Sequence, residues 1–229
     1  MLLLALETSG LSGSVALWQD GVVTERSLAA EGRRHAQTLV AELKALLDDR
    51  GVMLKSIDGI AVSIGPGSFT GLRVGVVAAK TIAYAIGCGV LAVDTLASFA
   101  EQAPADWSRV SVISDAQRGD LFVGEYQRDA NGYFLPMVPV RIIAGDEFRA
   151  ALTTDAIVLG PSARRWETVA AGPRFNHDPW SLQPSAIGVV TLAARKWASG
   201  ERSDLWTLAP FYLRPSAAEE KRALSEPRP

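Results

Sequence analysis

Residues 109–136 read RVSVISDAQRGDLFVGEYQRDANGYFLP, and the order of elements in this stretch decides the fold. RVSVIS alternates β-branched residues with small polar ones, the pattern of a strand with one buried face. DAQRGD is polar and carries a glycine, LFVGEYQ is apolar and aromatic, and DANG is a turn before a further strand. The stretch therefore predicts strand, acidic turn, strand, turn, strand.

The chain opens in the same way. LLLAL at residues 2–6 is a buried strand, SGLSG at 9–13 a turn and SVALWQ at 14–19 a second strand. Asp20-Gly21 makes a hairpin turn into a third strand, VVTERSLA. When the two stretches are aligned, Asp115 falls where Glu7 falls, and Gly119-Asp120 lies near Ser12-Gly13. Self-similarity of this kind fixes architecture. It predicts a duplicated α/β fold of two lobes, each an antiparallel meander continuing into βα units, with mixed sheets flanked by helices. Pro104 and Asp106 mark the boundary, giving lobes over 1–103 and 104–215 and a flexible, Pro-rich and charged tail over 216–229.

Between the meanders, helical spacing begins near His35, with Leu39, Leu43, Leu46 and Leu47 on one stripe and Ala36 and Val40 beside it. Gly51 ends that helix, DGIAVSIG is a buried strand, and a second helix spans 69–86. A strand at GVLAV and a helix from Thr95 to Gln102 close the first lobe. The second lobe continues with VRII, a helix at 146–152, the strand AIVLG, and helices from Ala163 and from Pro184 to Ala198.

Composition narrows the function. With 229 residues, 48% of them apolar, the chain can bury a substantial core. A net charge of −2 gives no basic surface for gripping nucleic acid alone, so any RNA contact is shared with a partner. One cysteine permits no internal disulfide, and the N-terminus lacks the basic segment of a signal peptide. Gly, Arg or Lys interrupts every long apolar run, so no membrane span is expected. These features predict a soluble cytoplasmic protein.

GPGSFTGLRVG at 65–75 has the strand, glycine turn and helix start of a phosphate cradle. Its chemistry is wrong for one. Leu72 and Arg73 follow Gly71 where a P-loop needs lysine, and Thr70 stands at the third glycine of a dinucleotide fingerprint. The helix that follows is apolar nearly all round, with Leu72, Val76, Ala79 and Ala83 on one stripe and only Arg73, Lys80, Thr81 and Tyr84 polar. One face must cover the sheet, and the other reads as an interface. Enclosure of the helix within its own domain is the alternative. The candidate interface comprises His35, Leu39, Leu43, Ser68, Phe69, Thr70, Leu72, Arg73, Val76, Ala79, Lys80 and Ala83. Two such helices suit a contact of roughly 800 Å² per partner.

Duplicated lobes of this order resemble the actin, hexokinase and Hsp70 superfamily, whose members hold nucleotide between two acidic turns and a glycine pair. Glu7, Thr8 and Ser9 match the first turn, Asp115 the second, and Gly160 the adenosine turn, where Pro161 replaces a second glycine. Weak ATP or ADP binding, in a vestigial cleft or at a subunit interface, is one reading; acids that merely cap strand ends are the other. No cofactor is required. His35 and His177 lie far apart and make no metal site, and Cys88 reads as core.

LALETSGLSGSVAL, RRHAQTLVAELKALL, GIAVSIGPGSFTGLRVGVVAAKTIA, SDAQRGDLFVGEY and PFYLRPS together resemble the TsaB (YeaZ) family over nearly the whole chain. That resemblance implies a subunit of the bacterial machinery for threonylcarbamoyladenosine in tRNA. It implies binding to a TsaD-type catalytic subunit through the N-terminal helices, self-pairing through the same surface, and a TsaE-type ATPase at the joint. It also implies contact with tRNA only through the complex. On the same resemblance, Thr95 and Phe99 stand where TsaD carries the two metal-binding histidines, which implies a chain without transferase activity. A nucleotide-binding enzyme of the superfamily or an M22-like metallopeptidase acting alone is the alternative.

Overall fold

A computed structural model describes residues 1–28, 35–167, 174–176 and 182–215. The first meander is β1 (Leu2–Glu7), β2 (Ser14–Gln19) and β3 (Val22–Ser27), followed by α1 (His35–Asp49), β4 (Gly59–Gly65), α2 (Phe69–Ile86), β5 (Gly89–Asp94) and α3 (Thr95–Ala100). Its sheet runs β3-β2-β1-β4-β5, antiparallel across the hairpins and parallel from β1 through β4 to β5. The second lobe repeats the plan with β6 (Arg109–Asp115), β7 (Asp120–Arg128), β8 (Phe134–Pro136), β9 (Arg141–Ala144), α4 (Gly145–Ala151), β10 (Ile157–Leu159), α5 (Ala163–Glu167) and β11 (Arg174–Phe175). Its sheet runs β11-β10-β6-β7-β8, with β9 also on β7.

The duplication extends to single bonds. β1 ends at Glu7, whose carboxylate accepts from the Ser9 N–H; β6 ends at Asp115, whose carboxylate accepts from the Gln117 N–H at 2.7 Å. Each acid closes a turn by bonding the amide two residues on.

α1 and α2 cover one face of the first sheet. Leu39, Leu43, Leu46 and Leu47 of α1 and Val76, Ala79 and Ala83 of α2 join Leu4, Leu6, Val15, Leu17, Ile60 and Val62 in one core. The opposite face is covered by α6 (Ala186–Ala198), which comes from the far end of the chain to pack on every strand from β1 to β5. Ala186, Val189, Val190 and Ala193 meet Leu3, Ala5, Ala16 and Ala61 there, and this run of small residues lets helix and sheet approach closely. α6 also touches α3, and Arg195 pairs with Glu101 just past the end of α3; α3 in turn packs on β6, β7 and β8 of the second sheet.

α2 is long and apolar enough, by length and composition, to cross a membrane. Its inward stripe is packed on the sheet instead, as expected of a core helix in a folded α/β domain.

Candidate docking surface and inter-lobe cleft

The glycine turn brings α2 down onto the first acidic turn. A Cβ at Gly67 would lie 2.7 Å from Ser9 O, one at Gly71 would overlap Thr8 O, and one at Gly75 would overlap the Thr8 hydroxyl. Gly67 and Gly71 thus make room for backbone against backbone, and Gly75 for the Thr8 side chain. The gap is closed by hydrogen bonds: Ser68 N–H donates to Ser9 O at 2.7 Å and the Thr8 hydroxyl donates to Gly71 O at 2.8 Å. Ser68 is the N-cap, its hydroxyl accepting from the Gly71 N–H at 3.2 Å. Glu7, Thr8 and Ser9 are all buried as a result. The Thr8 hydroxyl expected to meet a phosphate is engaged by the chain's own helix.

Asp115, its counterpart, is exposed, and its second oxygen lies 3.9 Å from Arg165. The turn behind it runs through Gln117, Arg118 and Gly119, all with positive φ (66°, 58° and 86°). Arg214 holds this turn: its guanidinium donates to Ala116 O and, at 3.2 Å, to Gln117 O, and pairs with Asp120. Gly160 follows β10, and a Cβ there would overlap Ile113 O, so this glycine serves strand packing against β6. One turn is sealed by a helix and the other is clasped by an arginine.

The candidate interface residues divide into two sets. Leu39, Leu43, Leu72, Val76, Ala79 and Ala83 are buried against the chain's own sheet, which corrects the expectation that they face a partner. The outward line of α2 is Thr70, Arg73, Val77, Thr81 and Tyr84, flanked by half-buried Phe69 and Lys80. Ser68 is exposed at the start of the helix. Val77 is 62% exposed and Tyr84 69%, and Val40 on α1 is 70% exposed. The side chain of His35, His177 and the tail over 216–229 lie outside the described residues.

A segment at 203–214, which the sequence reading did not assign, lies along this line. Ser203 N–H donates to Val90 O at 2.9 Å and its hydroxyl accepts from the Ala92 N–H, so the segment caps the open edge of β5. Lys80 donates to Trp206 O and Leu208 O, both at 3.0 Å. Trp206 packs edge-on against Tyr84, with centroids 5.7 Å apart, and Tyr212 stacks on Phe69 at 4.6 Å. Arg73 lies over the Phe69 ring at 4.0 Å and donates to the Tyr212 hydroxyl at 3.0 Å. The result is an aliphatic and aromatic ridge with a guanidinium at its Phe69–Tyr212 end, a composition like that of energetic centres of protein interfaces. The signal in the sequence was the aromatic density of WTLAPFYL at 206–213.

Thr95 and Phe99 are core residues. Thr95 accepts from the Gly65 N–H at 3.2 Å, and Phe99 packs among Leu96, Val110 and Tyr126. Neither side chain suits a transition metal, and no cluster of metal-ligating residues occurs among the described residues. Beside them, Asp94 caps α3 through the Ala97 N–H at 2.8 Å and accepts from the Tyr126 hydroxyl at 3.3 Å. Burial pushes the Asp94 carboxyl above the usual carboxylate range, against the pull of these donors, and burial together with the neighbouring carboxylate pushes Tyr126 well up.

The family model for TsaD, tRNA N6-adenosine threonylcarbamoyltransferase, matches residues 20–172. The tRNA threonylcarbamoyladenosine biosynthesis protein TsaB of Escherichia coli is 30% identical, over 96% of this chain and 98% of its own length. The TsaB of Bacillus subtilis is 28% identical over 96% and 97%. Among solved structures, YeaZ from Pseudomonas aeruginosa is 31% identical with a TM-score of 0.82, covering 93% of this chain and 99% of that one. Component A of (R)-2-hydroxyglutaryl-CoA dehydratase from Acidaminococcus fermentans, 11% identical with a TM-score of 0.51, shares the fold alone. With its duplicated actin-like lobes and end-to-end similarity to these relatives, the chain belongs to the TsaB (YeaZ) family.

Proposed function

We propose that this chain is a non-catalytic accessory subunit of the bacterial machinery that places threonylcarbamoyladenosine in tRNA. In this reading a TsaD-type catalytic subunit docks on the outward line of α2 and the exposed side of α1. The same surface pairs two copies of the chain when that subunit is absent, and a TsaE-type ATPase joins where the two subunits meet. Contact with tRNA runs through the assembled complex, in keeping with the net charge of −2.

The observation that carries this reading is the state of the two acidic turns. Thr8 and Ser9 are closed over by α2, and Arg214 holds the second turn. The Thr8 hydroxyl and the Ala116 and Gln117 carbonyls are engaged within the fold, while Val40, Val77, Tyr84 and Trp206 are exposed, with no cover among the described residues.

The test is light scattering after size exclusion on the full chain, alone and mixed with the TsaD-type subunit of the same bacterium. Val77→Asp places a charge in the centre of the ridge without touching the core. The wild-type chain forms a mixed complex, and the folded variant loses about hundredfold in affinity, roughly 3 kcal/mol. A folded Val77→Asp chain that binds as tightly as wild type overturns the docking surface. Threonylcarbamoyl transfer by the purified chain alone overturns the accessory role.

A further inference from the structure

The segment at 203–214 is anchored in both lobes. Leu205 and Leu208 pack into the core beneath α1 and α2, while Leu213 packs into the core of the second lobe with Val112, Phe122 and Leu159. Between these anchors, the Phe211 N–H donates to Ile64 O at 2.7 Å and Tyr212 is held by Phe69 and Arg73. Arg214 is two residues past Tyr212, a span of about 7 Å of extended chain, so the Tyr212 anchor limits where the guanidinium reaches.

The turn that Arg214 clasps needs outside help. Gln117 and Arg118 both hold left-handed backbone, which side chains with a Cβ resist. Within the turn, Ala116 N–H donates to Asp120 O and Asp120 N–H to Gln117 O, both at 3.0 Å. The Ala116 and Gln117 carbonyls and the Asp120 carboxylate all receive Arg214. A turn with two left-handed residues in the second lobe is thus held by a side chain that follows Leu213, packed in the second lobe, and lies two residues past Tyr212, held on the first.

We propose that the 203–214 segment is a mechanical strap between the lobes, so that the hold of Arg73 on Tyr212 at the surface of α2 governs the order of the 115–121 turn. Any ligand that draws Arg73 away from Tyr212 loosens that turn. The proposal concerns the chain by itself and does not depend on which partner covers α2.

Amide hydrogen exchange on the full chain, read by mass spectrometry of peptides covering 115–121 and 14–27, tests it. Arg73→Ala removes an exposed side chain far from the turn, Arg214→Ala removes the clasp, and Tyr212→Phe deletes only the hydroxyl bond. Arg73→Ala and Arg214→Ala each raise exchange at 115–121 at least fivefold and leave 14–27 unchanged, and the double variant exceeds neither single one. Tyr212→Phe gives a smaller rise in the same peptide. If Arg214→Ala raises exchange while Arg73→Ala and Tyr212→Phe leave it at the wild-type rate, the strap does not transmit and the proposal fails. It fails equally if the double variant gives the sum of two independent effects. Loss of partner binding in Val77→Asp, with 115–121 exchange unchanged, bears on the docking surface alone.

Discussion

The first acidic turn, Glu7-Thr8-Ser9, and the second, Asp115-Ala116-Gln117, end equivalent strands of the two lobes and close with the same carboxylate-to-amide bond. Their surroundings are opposite. The first is buried because a helix N-terminus with glycines at four-residue spacing lies directly on it. In the second, Ala116 is buried but Asp115 and Gln117 are exposed, Gln117 is left-handed, and Arg214 holds the Ala116 and Gln117 carbonyls while Arg165 lies 3.9 Å from Asp115. Duplication preserved the local bond and left the covering to be supplied by whatever each lobe had nearby. A sequence motif for a turn is thus weak evidence for a ligand seat until the atoms above the turn are known.

Substitutions at matched places break or sharpen this contrast. The largest effect belongs to Gly71→Ala, since the new Cβ overlaps Thr8 O, a backbone atom that cannot turn aside. The variant loses about 3 kcal/mol in urea unfolding, with the cost falling on the contact between α2 and the turn. Gly119→Ala in the second turn meets no atom within 4 Å and suffers only from its positive φ of 86°. A loss of about 1 kcal/mol is expected by the same measurement. Asp115→Ala comes last, because the carboxylate is exposed and gives up one turn bond and a distant contact with Arg165. Its loss should stay below about 1 kcal/mol, most of it removable by salt screening of the ion pair. Equal effects for the two glycine substitutions would mean that the first turn is no more tightly covered than the second.

Much of this was legible in the sequence. Alternation and turn residues mark both meanders, and the strands appear at 2–7, 14–19, 59–65, 109–115 and 120–128 as their patterns predict. α2 spans Phe69–Ile86, between its serine cap and Gly87, as its spacing predicts. The inward direction of α2 was not legible. Periodicity groups Leu72 with Val76, Ala79 and Ala83, but a helix apolar nearly all round offers no contrast to say which stripe meets the sheet. The tight approach of Gly71 and Gly75 to Thr8 depends on residues about sixty positions away, and the reach of Arg214 to Asp120 on residues almost a hundred away. Local patterns carry no information on such pairings. The same holds for α6, whose place on the first sheet follows from small residues on both sides of a contact made across most of the chain.

The bridge from Ser203 to Val90 has a consequence for solubility. β5 is the last strand of its sheet, and its free amides and carbonyls are a template on which a foreign strand can add. By seating one hydroxyl and one N–H on that border, Ser203 denies the first rungs of such a ladder at Val90 and Ala92. The first sheet is thereby shielded from edge-to-edge joining at these two residues.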